Sequence, residues 1–157
     1  MKKTAGIALV FMMIVLLLGG CSKRVNTYTF HDFSIELPAS YRFNKIEALQ
    51  EDYWMTSYGK NISFFVEEVP FSTDGIDEND SLERFAVWYT SEKHDLDAVI
   101  MERGGTVSFT FEGDSVYYAF CFKGSSAFYL AEFCAVKGPE PRLEKQAVSW
   151  IKTVRVK

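Results

Sequence analysis

The residues with the most definite chemistry stand near the start of the chain. Leu18-Gly19-Gly20-Cys21 closes an apolar stretch that runs from Ala5 through Leu18 and is preceded by Lys2 and Lys3. A basic start, an apolar stretch and small residues before a cut are the three parts of a secretory signal. The stretch is shorter than the roughly 18 apolar residues that spanning a bilayer takes, and the two glycines end it. A thiol at this point is placed for acylation.

The resemblance of this motif to that of bacterial lipoproteins implies that a diacylglyceryl group goes onto the Cys21 sulfur, that the Gly20–Cys21 bond is cut, and that the freed amine is usually acylated in turn. Residues 1–20 are therefore expected to be a signal peptide and Cys21 the lipidated residue. One acyl chain, at about 0.8 kcal/mol per buried CH₂, holds a bilayer only marginally; two or three on one residue hold it durably.

Other reactive side chains do not fall into patterns that do chemistry. The loop Asp74-Gly75-Ile76-Asp77-Glu78-Asn79-Asp80 is rich in the oxygens that calcium prefers. A calcium loop, however, leads into its glycine through acids at alternating positions. Counting back from Gly75 puts Pro70 and Ser72 where those acids should stand, so the loop reads as solvated, with acids that favour a helix start. His31-Asp32 and His94-Asp95, with Asp97 close by, offer no zinc spacing such as two His at i, i+4. His31 is expected in a hairpin turn and His94 at a helix end. Gly124-Ser125-Ser126 lacks the flanking glycines of a nucleophile elbow. Gly104-Gly105 precedes a strand and so has no helix N-terminus to help cradle phosphate. Both read as turns. No constellation meets the geometric demands of catalysis, and neither a metal nor a cofactor is expected.

Cys121 and Cys134 are the thiols left once Cys21 is acylated, and an exported protein invites a disulfide. If Gly124-Ser125-Ser126-Ala127 turns between two strands, Cys121 lies opposite Leu130 and Cys134 opposite Tyr117. Four residues of stagger at about 3.3 Å each exceed the ~7 Å Cα reach of a disulfide. Two free, mostly buried thiols are favoured over a bridge.

Removing residues 1–20 from the 157 leaves 137, the size of one domain with a proper core. It also takes two of the 17 basic residues, so 15 face 21 acidic ones in the mature chain. That balance argues against nucleic acid, which selects basic surfaces, and against attraction to anionic head groups. The membrane contact is left to the lipid on Cys21, and residues 22–27 form a short tether.

The elements follow from periodicity. Tyr28-Thr29-Phe30, a turn at His31-Asp32, and Phe33 to Leu37 predict a hairpin stopped by Pro38. A helix-compatible stretch includes 46–49, and 53–58 with 62–69 predict a second hairpin around Gly59-Lys60-Asn61. Asp80 and Glu83 have capping-box spacing ahead of a helix over about 81–93, with Leu82, Phe85, Ala86 and Tyr89 on its buried stripe. Val107, Phe109 and Phe111 alternate with polar residues, as in a half-buried strand. Strands over 115–122 and 128–136 are apolar on both faces and belong at the centre of the sheet. Leu143, Ala147, Trp150 and Ile151 line one side of a last helix, and 153–157 alternates again as a closing strand. One α+β domain over residues 28–157 results, an antiparallel β-sheet with helices packed on it.

Phe33-x-Ile35-x-Leu37-Pro38-x-x-Tyr41, a middle helix, a long late hairpin and a terminal helix ending in Thr153-Val154-Arg155-Val156 resemble the PsbP-like family. That family takes in photosystem-associated lumenal proteins and bacterial envelope lipoproteins of the DcrB group. The resemblance covers roughly residues 28 to 157 and implies an α-β-α sandwich with an accessory or assembly role and no catalysis. No binding residue carries over.

Aromatic residues make up 16% of the chain and crowd the late hairpin, where Tyr117, Tyr129 and Phe133 are the candidates to line a groove for a partner or ligand. The function these readings support is that of a lipid-anchored, non-catalytic accessory or adaptor domain binding another envelope component. The alternative is a small-molecule or peptide-binding lipoprotein with a pocket between helix and sheet. Ser22 after the acylated residue matches the outer-membrane-directed class in a two-membrane cell; in a single-membrane cell the domain would sit on the outer face of the membrane.

Overall fold

The computed structural model describes residues 24–43, 53–58, 62–135 and 142–157. Gly20, Cys21, the helix-compatible stretch 46–49 and the 59–61 turn lie outside the described residues. The first hairpin pairs β1 (Val25–Phe30) with β2 (Phe33–Pro38) from Phe30↔Phe33 out to Val25↔Pro38. The strand thus begins at Val25, and the tether expected to run through Thr27 gives up its last residues to the fold. His31 makes the turn at φ 49, a left-handed conformation that a two-residue hairpin requires.

The remaining strands are β3 (Tyr41–Phe43), β4 (Tyr53–Tyr58), β5 (Ile62–Pro70), β6 (Ala98–Arg103), β7 (Thr106–Glu112), β8 (Val116–Lys123), β9 (Ala127–Ala135) and β10 (Arg155–Val156). Two antiparallel sheets form: a seven-stranded one in the order β3-β4-β5-β9-β8-β7-β6, and a three-stranded one in the order β1-β2-β10. The sequence predicts a single sheet. The first hairpin instead leaves it, because β2 alternates Phe33, Ile35 and Leu37 with Ser34 and Glu36 and so has one apolar face to cover something. It covers the large sheet, with Phe33, Ile35 and Leu37 joining Phe64, Phe120, Tyr129 and Phe133 in one core.

The strand β9 is central, as its unbroken apolar pattern predicts, and all nine of its residues are buried. Its odd-numbered residues face the small sheet and the helix α2 (Leu143–Ile151), here termed the inner face. Its even-numbered residues face the helix α1 (Leu82–Val87) and the π-helical turn Trp88–Lys93 that continues it, here termed the outer face. Helices therefore flank the large sheet on both sides, an α+β architecture with the layering of an α-β-α sandwich.

The middle helix has the predicted extent but not the predicted start or geometry. Its N-cap is Ser81, whose hydroxyl accepts from the Arg84 amide at 3.2 Å; Asp80 instead accepts from Asp77 N at 2.8 Å. A one-residue shift in the cap leaves the apolar stripe in place. From Trp88 the coil widens to a π-turn, which lets three consecutive residues, Trp88, Tyr89 and Thr90, all be buried. The strand β6 has no counterpart in the sequence reading. Its Ala98-Val99-Ile100-Met101 run is too short to separate strand from helix by periodicity. Gly104-Gly105, at φ 63 and 87, is the tight turn joining β6 to β7.

Candidate functional site

The outer face of the large sheet gathers the groups with unusual environments. Glu67 on β5 accepts from the Tyr89 hydroxyl at 2.7 Å and pairs with the Lys93 ammonium at 2.7 Å. That ammonium also lies over the rings of Trp88, at 5.4 Å, and Tyr89, at 5.0 Å. Tyr89 and Lys93, four residues apart on the π-turn, lie on the same side of it. Glu132, on the central strand, lies opposite Phe65 on β5 and Ala119 on β8, on the same face as Glu67. It is 9% exposed, and its carboxyl pKa is pushed up to about 8, first by burial and then by the negative charge of Glu67, with Lys93 acting in the other direction. His94, against the Tyr89 ring at 4.5 Å, is held below the usual histidine range by burial and then by Lys93.

The groove expected from Tyr117, Tyr129 and Phe133 is not assembled. Tyr129 and Phe133, 1% and 0% exposed, point to the inner face, where Phe33 and Phe64 pack on them. Tyr117 projects from the outer face, stacked on Phe111 at 4.4 Å. Alternation in a strand explains the split: 117 and 133 sit on strands paired through Tyr118↔Phe133 and so face opposite ways. Burial, then the neighbouring Cys134 thiol, hold the Tyr117 hydroxyl above its usual range. Tyr129 is pushed up to about 12, by burial first and Glu68 second.

The thiols stand as the register argument places them. Cys121 pairs with Leu130 and Cys134 with Tyr117, and both are free and buried. Burial drives the Cys121 thiol far up, so it is not a nucleophile at neutral pH. In the acidic loop the Lys123 ammonium occupies the backbone oxygens, donating to Glu78 O at 2.6 Å and to Asp80 O at 2.8 Å. His31 is hydrogen-bonded to Glu68 on the inner side, whereas His94 lies on the outer side.

Two clefts lie elsewhere on the described residues. One of about 450 Å³ lies between the start of α1 and the β6–β7 hairpin, lined by Leu82, Glu83, Ile100, Glu102, Thr106 and Val107 among others. Another of about 480 Å³ lies beside Arg24, Ser40, Gln146 and Trp150.

Glu132 was missed at the level of sequence, yet it carried a signal: it is the single charged residue in the otherwise apolar run from Phe128 to Val136. A carboxylate there breaks the pattern of a doubly covered strand.

The architecture has solved counterparts. The solution structure of the cyanobacterial PsbP protein CyanoP from Synechocystis sp. PCC 6803 superposes with a TM-score of 0.50 at 12% identity, over 90% of this chain and 99% of that one. A crystal structure from Bacteroides thetaiotaomicron VPI-5482 superposes with a TM-score of 0.52 at 14% identity, over 80% of this chain and 45% of that one. The chain thus spans less than half the length of the Bacteroides protein. The fold is PsbP-like. No protein-family model matches the chain, and no curated protein matches it by sequence.

Proposed function

We propose that the chain is a lipid-anchored envelope protein whose PsbP-like domain is a non-catalytic accessory or adaptor module for another envelope component. The observation that carries this reading is the start of β1 at Val25, four residues after the thiol of the acylation motif. At about 3.6 Å per residue, that linker reaches no more than ~14 Å, so the domain works against the membrane surface. The test is expression of the full chain and of Cys21→Ala with labelled fatty acid, followed by membrane fractionation and crosslinking in intact cells. Label and membrane residence lost in Cys21→Ala, together with a discrete crosslinked complex in the wild type, are the expected results. Membrane residence unchanged by the substitution would remove the anchor, and no complex in either protein would remove the adaptor role.

A second reading, a ligand-binding lipoprotein, is favoured by the cleft between α1 and the β6–β7 hairpin. Native mass spectrometry of protein released from membranes in mild detergent reads it directly. A retained small molecule supports it, and a bare mass speaks for the adaptor.

A further inference from the structure

A carboxylate placed in the middle of a sheet is stabilised only if hydrogen bonds or a counter-charge replace the water it loses. Glu132 is more than nine-tenths buried, burial and the charges of Glu67 and Lys93 are what act on its carboxyl, and its oxygens, with no hydrogen bond to a described residue, are not fully sealed from solvent. The groups that face it are Glu67 from β5, Tyr89 and Lys93 from the π-turn, Tyr117 and Cys121 from β8, and Cys134 from its own strand; His94 stands at the end of the turn. The one cation among them, Lys93, is spent on Glu67 at 2.7 Å. Its surroundings of a carboxylate and two aromatic rings are those that recognise an ammonium group. The face thus holds two carboxylates and one ammonium, and the carboxylate left over is beside the small side chain of Ala119.

We propose that Glu132 and Glu67 form a binding site for a slender primary alkylammonium group, in which Lys93 fills the Glu67 half and an incoming amine fills the Glu132 half. Whether the amine belongs to a small ligand or to a lysine side chain, the chemistry is the same: an R–NH₃⁺ group enters, the Glu132 carboxyl gives up its proton to water, and a charge-assisted hydrogen bond forms. The site is separate from the cleft at the other end of the helical segment.

The test is titration of the full chain in detergent micelles with n-butylammonium chloride, followed by amide NMR shifts of β9 and the π-turn. Butanol and tetramethylammonium serve as controls for apolar contact and for charge alone. Because Glu132 holds its proton up to about 8, the affinity is expected to rise about tenfold from about pH 6 to about pH 7, while the amine itself stays protonated. Glu132→Gln, which keeps the shape, is expected to abolish binding while still melting cooperatively at a midpoint no lower than that of the wild type. Lys93→Met is expected to tighten binding by removing the like charge and freeing Glu67. A parallel titration with Nα-acetyl-lysine methylamide separates the sources: binding of both probes assigns a lysine side chain, and binding of butylammonium alone assigns a small amine. Equal binding of butanol, full affinity in Glu132→Gln or an affinity independent of pH would each overturn the proposal.

Discussion

Burying Glu132 ties stability to pH in a direction opposite to that of most carboxylates. Its folded pKa, about 8, lies above the ordinary 4.5, so the native state binds a proton that the unfolded chain has released between those values. The protonated group costs the fold nothing below about 4.5, and stability falls as pH rises toward about 8, by up to a factor of ten in the folding equilibrium per pH unit. Urea unfolding at about pH 5, 6.5 and 8 is expected to show Glu132→Gln gaining on the wild type at each step. A constant gap would place the charge in solvent. The thiols make a second residue-scale case. Cys121, at 0% exposure, is expected to resist iodoacetamide in the native state and to react fully in urea, checked by intact mass. Its placement opposite Leu130 was legible in the sequence, because a short Gly-Ser-Ser turn fixes a hairpin register. The Tyr117–Tyr129–Phe133 grouping was not legible. Aromatic density says nothing about parity, and parity decides which face each ring takes.

At the scale of elements, the strands most visible beforehand were those with strict alternation or a doubly apolar run, namely β2, β7, β8 and β9. The strand β6 was hidden by its short apolar run, and the π-turn by the fact that its buried stripe continues that of a normal helix. Two devices here make testable contrasts. Ser81→Ala is expected to cost about 1 kcal/mol by removing the acceptor for Arg84 N. Asp80→Ala, at the expected but unused cap position, is expected to leave the helix cap intact and to lose a helix-dipole contribution of a few tenths of a kcal/mol together with the loop hydrogen bond from Asp77 N. The turn between β6 and β7 discriminates more sharply. A Cβ on Gly104 would stand 2.6 Å from Ile151 Cδ1, whereas one on Gly105 meets nothing within 4 Å. Both glycines have positive φ, so each alanine carries backbone strain of roughly 1–2 kcal/mol. Gly104→Ala is expected to lose a further 1–3 kcal/mol, roughly, through overpacking against α2. Urea midpoints for the two variants measure the difference, and equal losses would mean that α2 yields freely.

Over the whole molecule, element order and the packing of helices on an antiparallel sheet could be read from the chain, but the division into two sheets could not. The alternation of β2 gives the hairpin one apolar face to bury, but residues 25–38 alone do not say that this face will cover the main sheet from a sheet of its own. That outcome depends on β10 arriving from the far end of the chain to pair with β2 through Arg155↔Ser34 and Val156↔Phe33. The arrival is reinforced by Lys157 N on Asp32 O at 3.2 Å and by Ser125 N on Lys157 O at 2.9 Å. Replacing Val154 and Val156 by Ser is therefore expected to destabilise the entire domain by roughly 2–3 kcal/mol, through lost apolar burial, in a single cooperative transition. A separate early transition for the small sheet would show that the two sheets fold apart.

The three-stranded sheet also determines how the domain bears load. A pull directed along β1 from its Val25 end has the ladder to β2 and the Ala39 N bond to Arg24 O lying across it. The bonds are then sheared together, and no single pair can open first as it would in unzipping. Tension along that direction is shared by the whole ladder, and β10 on the far side of β2 braces the strand that β1 would load.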